Sequence, residues 1–372
     1  MKILHLTNHL NTGGITTYIL VLACEQVKAG HPVSGWGEAG NTVAEFKAMG
    51  VTVLDDVPRC KSELSPRLWL ALPKLVRVLK TQSIDIVHTH TRVTQVLAAV
   101  ATRFVKIPYL STAHMFYKRR LGRRLFPCWG KAVIAISKVM EQGLLSIFKA
   151  ETLPPITVVP NGIDVEKLQG KFDAVDREAV RKSYGYGKED LVVVGLSRLI
   201  PVKGVHFLIE ALAVARQEVP SMKLLVAGAG DPAYTGRLKA RVAELKLEKD
   251  VRFIGNEPQI EKPLRAGDIF AGPYVWPEAF GLSILEAMSV GLPVIGSTSG
   301  GIVELLGNGK YGLLFESENT RDLIRCLVLY AKDPSLRSEM GKAARVAALE
   351  YSAVKTYQRI QEVYEKVLVD PS

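Results

Sequence analysis

LVVVGLSRLIPVKG, residues 191–204, is the stretch that decides the fold. Its first six residues are apolar apart from one glycine, as expected of a parallel strand that is buried on both faces. A loop that contains Pro201 and Gly204 follows, and beyond it the apolar spacing becomes helical. A buried strand that runs through a short loop into a helix predicts the repeating unit of a doubly wound α/β sheet.

The same unit recurs along most of the chain, because short apolar runs alternate with amphipathic segments of ten or more residues. The runs predict strands at 2–7, 51–54, 85–88, 109–112, 132–136, 156–159, 191–196, 223–228, 251–254, 268–271, 293–296 and 313–315. This number of strands exceeds one ordinary sheet. The sequence therefore predicts the α/β class, with two Rossmann-like doubly wound domains that face each other across a cleft.

The boundary between the two domains is predicted at VVPNGID, residues 158–164. A strand ends there, Pro-Asn-Gly interrupts the chain, and a polar, charged segment follows. The predicted domains cover residues 1–165 and 166–350. Residues 351–372 are expected to form a helix that crosses back and braces the first domain.

Composition restricts the class of protein. Hydrophobic residues make up 48% of the 372 residues, which is enough for real cores. No apolar run reaches the roughly 20 residues of a membrane-spanning helix, and the N-terminus shows no signal-peptide pattern. The four cysteines are scattered without a CxxC pair, which indicates a reducing cytoplasm and no structural zinc.

The positive charge is concentrated in one part of the chain. The net charge is +11, and residues 59–131 alone carry 15 basic and 2 acidic side chains. Residues 67–80 and 118–131 mix cations with Trp, Leu and Phe, which predicts peripheral contact with the anionic inner face of a membrane. A phosphorylated glycan or a merely solvated charged face are the alternatives. Nucleic acid is not expected, because aromatic residues are sparse among the cations.

Two strand-to-helix loops have the composition of phosphate sites. Gly13 and Gly14 follow the first strand and precede a helix, where backbone N–H groups and the helix dipole favour an anion. An ordinary turn would use the same residues. Arg198 and Lys203 follow the first strand of the second half, with Pro201 stiffening the loop between them, and two cations there suit a diphosphate. The alternative is two solvated cations.

WPEAFGLSILEAM, residues 276–288, is the richest motif. Glu286 lies within a helix that is apolar on nearly every side, and an unpaired buried carboxylate is costly. Ribose hydroxyls would be suitable donors to it, and an internal Lys or Arg partner is the alternative. Glu278 precedes the same helix and is expected to face the same ligand.

Three of the seven histidines, His88, His90 and His114, lie at predicted strand ends. An i, i+2 pair suggests a metal, yet no local carboxylate completes a site and no Asp-x-Asp occurs. No metal is therefore predicted. His114 ends a strand at the expected cleft and is assigned to the site.

Taken together, the motifs resemble the retaining glycosyltransferases of family 4, which have the GT-B fold. The resemblance covers essentially the whole chain. Its most specific parts are VPNGID at 159–164, the Arg198 to Lys203 spacing and the Glu-x7-Glu of Glu278 and Glu286. It implies an acceptor-binding first domain, a nucleotide-sugar-binding second domain and no cofactor beyond the nucleotide-diphosphate sugar that acts as donor.

By position, the resemblance implies that Arg198 and Lys203 hold the diphosphate. Glu278 would accept hydrogen bonds from the donor sugar and Glu286 from the ribose. Backbone N–H groups would face the sugar and phosphate at three consecutive residues, namely Phe280, Gly281 and Leu282.

The resemblance also assigns Gly13 and Gly14 to the diphosphate, His114 to the transferred sugar, and the segment containing Gly255 to the base. His114, Glu278, Arg198 and Lys203 are the expected catalytic residues. The sequence departs from the family at Tyr274, often Ser, at Ala279, often Gly, and at Met115, often Asp or Gly. The last departure leaves the acceptor contacts open.

The implied reaction is metal-independent sugar transfer, with retention of configuration, to a glycan or lipid-linked acceptor in envelope polysaccharide or lipopolysaccharide synthesis. Breaking the glycosidic bond leaves negative charge on the diphosphate, which Arg198, Lys203 and helix N-termini would stabilise. A nucleotide-sugar epimerase of the same fold and a non-enzymatic membrane-binding protein are the alternatives. An NAD-dependent oxidoreductase would need GxGxxG with a downstream acid, and that motif is absent.

Overall fold

The computed structural model describes residues 1–54, 60, 62–117, 121–148 and 152–369, with the side chain of residue 124 outside the description. Its strands are β1 (Ile3–His9), β2 (Val33–Glu38), β3 (Thr52–Leu54), β4 (Ile86–Thr89), β5 (Tyr109–Ala113), β6 (Val133–Ala135), β7 (Ile156–Val158), β8 (Leu191–Leu196), β9 (Met222–Ala227), β10 (Val251–Gly255), β11 (Ile269–Gly272), β12 (Val294–Ser297) and β13 (Leu313–Phe315).

The helices follow the strands along the chain. They are α1 (Gly14–Lys28), α2 (Val43–Ala48), α3 (Pro66–Leu70), α4 (Leu72–Thr81), α5 (Arg92–Val105), α6 (Leu121–Leu125), α7 (Lys138–Ile147), α8 (Val165–Ala174), α9 (Arg177–Ser183), α10 (Val205–Glu218), α11 (Pro232–Glu244), α12 (Glu261–Ala266), α13 (Leu282–Ser289), α14 (Ile302–Leu305), α15 (Thr320–Lys332), α16 (Pro334–Ala348) and α17 (Ala353–Val369).

The chain divides into two compact units, residues 1–163 with 352–372 and residues 164–351. The first unit holds a parallel sheet of order β3-β2-β1-β4-β5-β6-β7. The second holds a parallel sheet of order β10-β9-β8-β11-β12-β13. Both orders reverse direction at their first strand, as in doubly wound folds. The predicted α/β class with two Rossmann-like domains is confirmed.

The C-terminal helix α17 belongs to the first unit. Its buried face, which includes Ile360, Val363 and Tyr364, shares a core with α1 and β1. Residue 352 pairs with Ile163, where the chain leaves and re-enters this unit. The boundary predicted between residues 165 and 166 falls at the start of α8.

One strand was missed from the sequence. β2 reads VSGWGE, and its small and polar residues lack the β-branched pattern that marks its neighbours. It is nevertheless buried between β1 and β3. A Cβ on Gly37 would lie 3.1 Å from the Thr7 side chain, so close packing against β1 accounts for the small residue. Tertiary pairing overrides the weak local preference here.

The described residues include no helix with the length and apolar character needed to cross a bilayer.

Candidate active site

The candidate site of the second unit is built at the carboxyl ends of its parallel strands. Backbone hydrogen bonds tie the loop after β8 to the end of β9 and to the loop that follows it. They run from Ser197 N–H to the Ala227 carbonyl at 3.1 Å and from Leu199 N–H to the Ala229 carbonyl at 3.0 Å. Gly228, with φ +138°, allows this approach, because a Cβ there would lie 1.9 Å from the Ser197 carbonyl oxygen. The Arg198 loop is therefore hydrogen-bonded to the carboxyl-terminal edge of the sheet.

Arg198 extends from this loop into solvent. Among the described residues no carboxylate forms an ion pair with its guanidinium. An unpaired cation on an anchored loop has its full hydrogen-bonding capacity left for an anion. Gly255 ends β10 on the same edge, at φ +71°, and no atom lies within 4 Å of where its Cβ would be.

Lys203 closes a 3-10 turn, Pro201–Lys203, and Gly204 follows at φ +70°. A Cβ on Gly204 would lie 1.7 Å from the Pro273 carbonyl oxygen, so glycine is required for the turn to meet the loop after β11. This contact brings Lys203 to Glu278, with which it forms an ion pair. The two residues were predicted to bind different parts of a ligand, and the structure pairs them with each other.

Tyr274 lies beneath this ion pair. The Lys203 ammonium is 4.6 Å from the centre of its ring, and its hydroxyl is hydrogen-bonded to Ser283 at 2.6 Å. Burial raises the pKa of Tyr274, and the charges of Glu278 and Glu286 raise it further. Tyr274 therefore lies close to three of the predicted residues, namely Lys203, Glu278 and Glu286. Tyr274 was not predicted as a site residue, and the only signal in the sequence is its departure from the family pattern.

Glu286 lies on α13 and is partly exposed. Desolvation raises its pKa to about 7. Within the described part of the chain no Lys or Arg pairs with this carboxylate, so the internal-partner alternative has no support there. A desolvated carboxylate without a cation is a hydrogen-bond acceptor suited to ligand hydroxyls.

α13 begins directly after Gly281, whose φ of +104° favours glycine. No side chain caps the first turn, so the N–H groups at its start have no internal side-chain acceptor. Phe280 is buried, and Leu282 is half-buried. The resulting N-terminus is electrostatically suited to a negatively charged group.

The remaining predicted site residues lie in the first unit. Gly13 caps α1 in an extended conformation without a side-chain hydrogen bond, and a Cβ there would meet no atom within 4 Å. Gly14 begins the helix. His114 follows β5 and is half-buried. Its ring lies edge-on to Tyr18 at 4.7 Å, and desolvation lowers its pKa to about 3.

His88 and His90 lie beside His5, a residue that was not predicted to belong to a site. Nitrogen atoms of the three rings lie within 4.8 Å of one another. Each nitrogen of these rings already has a protein partner at hydrogen-bond distance. The register pairs His5 with His88 across β1 and β4, and that long-range pairing carries no local sequence signal.

The cationic part of the chain, residues 59–131, is called the basic stretch, and its described residues expose several apolar side chains. Residues 67–80 form α3 and α4, with Pro73 in the first turn of α4. Trp69 and Leu70 are exposed, as are Leu121, Leu125 and Phe126 in or after α6. Residues 118–120 lie outside the described residues. Arg123 was predicted as a surface cation, but its guanidinium lies 4.1 Å from the centre of the Tyr117 ring and is largely withdrawn from solvent.

Comparisons with known proteins agree with this architecture. Residues 12–167 match the family described as Glycosyltransferase Family 4, and residues 176–347 match Glycosyl transferases group 1. D-inositol 3-phosphate glycosyltransferase of Jonesia denitrificans is 26% identical, over 77% of this chain and 73% of that protein.

Two further proteins extend the comparison. The Escherichia coli UDP-Gal:alpha-D-GlcNAc-diphosphoundecaprenol alpha-1,3-galactosyltransferase is 26% identical, over 81% of this chain and 80% of that protein. Anabaena HepE, solved with UDP and glucose, superposes with a TM-score of 0.84 at 23% identity and covers 98% of this chain and 100% of its own. The matches confirm the GT-B fold, and the chain belongs to the family 4 type of group 1 glycosyltransferases.

Proposed function

We propose that this glycosyltransferase moves a sugar from a nucleotide-diphosphate sugar, with UDP as the preferred nucleotide, to a glycan or lipid-linked acceptor. The observation that carries the proposal is the contact of Lys203 with Glu278 and Tyr274 at the sheet edge that also holds Arg198. Tyr274 is in turn hydrogen-bonded to Ser283 in the first turn of α13, the helix that carries Glu286. UDP is proposed because HepE, of the same fold, was solved with it.

Charge explains how these residues would act. As the bond between the anomeric carbon and the leaving oxygen breaks, positive charge develops on the sugar ring and negative charge on the diphosphate. Arg198, Lys203 and the N-terminus of α13 would stabilise the diphosphate without a metal. Family resemblance assigns Gly13, Gly14 and His114 to the same donor, and Gly255 to its base.

Retention is proposed from the family resemblance. The acceptor oxygen would form its bond to the anomeric carbon on the face that the diphosphate leaves, and the acceptor proton would pass to the leaving phosphate oxygen. Glu278 enters as a hydrogen-bond acceptor for sugar hydroxyls. Its ion pair with Lys203 would then open or be shared when the donor binds.

A thermal-shift screen of UDP-, GDP- and ADP-sugars in EDTA tests the donor proposal. We expect one UDP-sugar to raise the melting temperature, because a ligand at about 100 times its Kd stabilises the fold by about 2.7 kcal/mol. Transfer is then assayed by product analysis with and without an acceptor. No response to any nucleotide sugar, or a requirement for a divalent cation, would contradict the proposal.

We also propose that the acceptor is presented at an anionic membrane, in envelope polysaccharide or lipopolysaccharide synthesis. Arg92 contacts both ends of the exposed apolar surface, near α3 and just after α6. Its guanidinium donates to the carbonyls of Phe126 and Pro127, each at 2.7 Å, and contacts Glu63, just before α3, at 3.5 Å. Exposed apolar side chains among cations are typical of peripheral membrane surfaces.

Vesicle sedimentation tests the membrane surface. We expect binding to phosphatidylglycerol vesicles but not to phosphatidylcholine vesicles, because the attraction is largely electrostatic. The double substitution Trp69→Ser with Leu70→Ser is expected to weaken binding about tenfold, since about 1.4 kcal/mol of apolar insertion is lost. Val346→Ser, which removes an exposed apolar side chain from the second unit, is the control. Equal binding of the double variant and the Val346→Ser control to phosphatidylglycerol vesicles would contradict the proposal.

A further inference from the structure

A row of hydrogen-bonded side chains runs through the first unit and ends at His114. His5 Nε2 lies 2.8 Å from Gln26 Oε1, and His5 Nδ1 lies 3.0 Å from His90 Nε2. His90 Nδ1 in turn lies 3.1 Å from His114 Nε2. We call Gln26, His5, His90 and His114 the histidine chain. Its first three members are buried, and His114 is half-buried.

Among the described residues the three rings of the histidine chain are hydrogen-bonded to an amide and to one another and to no carboxylate, which favours the neutral imidazole. Burial lowers the pKa of His5 to about 4 and that of His114 to about 3, and it lowers the pKa of His90 well below its ordinary value. Burial also lowers the pKa of the neighbouring His88 well below its ordinary value. A neutral imidazole carries one N–H and one lone pair, so each ring donates at one nitrogen and accepts at the other. The hydrogen bonds of the histidine chain therefore all run in one direction. The donor or acceptor role at one end fixes the tautomer of the ring at the other end.

The side-chain amide of Gln26 sets the direction of the hydrogen bonds in the histidine chain. Its amide nitrogen donates to the Tyr364 hydroxyl at 3.3 Å, which leaves the amide oxygen to accept from His5 Nε2–H. His5 Nδ1 must then accept from His90 Nε2–H, and His90 Nδ1 from His114 Nε2–H. The lone pair of His114 is thereby placed on Nδ1.

A second branch fits the same direction. Because the Tyr364 hydroxyl accepts from Gln26, it is free to donate to His88 Nδ1 at 2.7 Å. His88 Nε2–H then donates to the Thr112 hydroxyl at 2.6 Å. Every bond in both branches has a donor and an acceptor. Reversing the Gln26 amide would reverse all of them together, so the orientation of this one amide is transmitted to His114.

We propose that Gln26, acting through His5 and His90, is a positioning residue that holds His114 as its Nε2–H tautomer, so that Nδ1 accepts a hydrogen bond from a sugar hydroxyl. Within the described residues His114 Nδ1 has no hydrogen-bond partner, and the ring is partly open to solvent. The part of this proposal that rests on the proposed function is that the group donating to His114 Nδ1 is a sugar hydroxyl. The tautomer is a property of the ligand-free chain.

The tautomer is measured by long-range proton–nitrogen correlation NMR on the full chain labelled with ¹⁵N-histidine. The His114 signals are identified by their loss in His114→Asn. We expect a protonated Nε2 and an unprotonated Nδ1 at pH 7.5, and the opposite pattern would overturn the proposal. This measurement needs no turnover, so it distinguishes failure of the tautomer from failure of the proposed function.

Gln26→Met tests the transmission. Without the amide, the two hydrogen-bond directions of the histidine chain become comparable in energy, so we expect mixed tautomers at His114. By analogy with the partners that orient metal-bound imidazoles, we expect a loss of kcat of about 10- to 100-fold. His31→Gln, which alters a separate histidine–tyrosine contact to α17, should leave both unchanged. An unaltered His114 tautomer in Gln26→Met would overturn the proposal. Tyr364→Phe removes the group that orients the amide and gives the same test should Gln26→Met not fold.

Discussion

Arg198→Ala and Lys203→Ala are each expected to reduce kcat/KM for sugar transfer by about 10²- to 10³-fold, the effect of removing one preorganised group from a developing anion. The loss should appear mainly in kcat, because negative charge on the diphosphate grows as the glycosidic bond breaks. Initial rates over a range of donor concentrations measure it.

The two variants should differ in stability. Arg198 is exposed and unpaired among the described residues, so its loss should leave the free energy of unfolding within about 0.5 kcal/mol of the wild-type value. Lys203 pairs with Glu278, and both side chains are only partly buried, so its loss should cost about 1 kcal/mol or less. Folding defects therefore cannot account for the expected loss of activity.

A matched control separates local from general charge effects. Lys239 is an exposed cation of the same unit on α11, and Lys239→Ala should retain full activity. For the double variant Lys203→Ala with Glu278→Gln, the loss of transition-state stabilisation should not exceed the sum of the losses in the two single variants. The reason is that the two residues act as one pair. Wild-type turnover in both Arg198→Ala and Lys203→Ala would refute the diphosphate assignment.

Glu286→Gln is expected to weaken donor binding and to stabilise the ligand-free fold at alkaline pH. Hydrogen bonds to a charged group are worth about 1.5–3 kcal/mol, so donor affinity should fall by roughly 10- to 150-fold. Isothermal titration with the donor identified by the thermal-shift screen measures this loss.

The stability change follows from the raised pKa. Desolvation lifts the pKa of Glu286 from 4.5 to about 7 in the folded protein, so the ionised form is the unfavourable one. Wild-type stability is highest below the unfolded pKa and falls as pH rises through about 7, by up to about 3 kcal/mol. Glutamine cannot ionise and avoids this loss. The variant should therefore be more stable than wild type at pH 8 and nearly equal to it at pH 4.5.

Ligand binding should show the opposite dependence in the wild type. The carboxylate is the better acceptor for ribose hydroxyls, so donor affinity should rise between pH 6 and pH 8, while the affinity of Glu286→Gln should stay flat over that range. Glu339→Gln, an exposed acid on α16, serves as the control for both measurements. A lower melting temperature for Glu286→Gln at pH 8 would show that the carboxylate is internally satisfied.

The apolar runs were enough to predict both sheets, because strands buried on two faces must be hydrophobic along their length. This rule did not identify β2, where Gly37 allows close packing against β1 and the strand lacks a β-branched pattern. Arg198 and Lys203 could be placed at a strand end from the sequence, since the loop follows its strand directly.

Side-chain partners far apart in sequence could not be predicted. Lys203 and Glu278 are 75 residues apart, and they meet because Gly204 brings its turn against the loop after β11. The histidine chain depends on β1, β4 and β5 lying side by side and on α1 adding Gln26. Burial, which sets the pKa values of Glu286 and His114, likewise appears only after packing.

By itself, the sequence determined the two-domain α/β class, the family and the residue types at the carboxyl ends of the strands, because these depend on short-range hydrophobic pattern and motif spacing. Only the tertiary structure decided that Lys203 pairs with Glu278 over Tyr274, that Glu286 has no cation among the described residues, and that hydrogen bonds join Gln26 to His114 through His5 and His90. Those contacts are set by strand order and register, which join residues that local patterns leave independent.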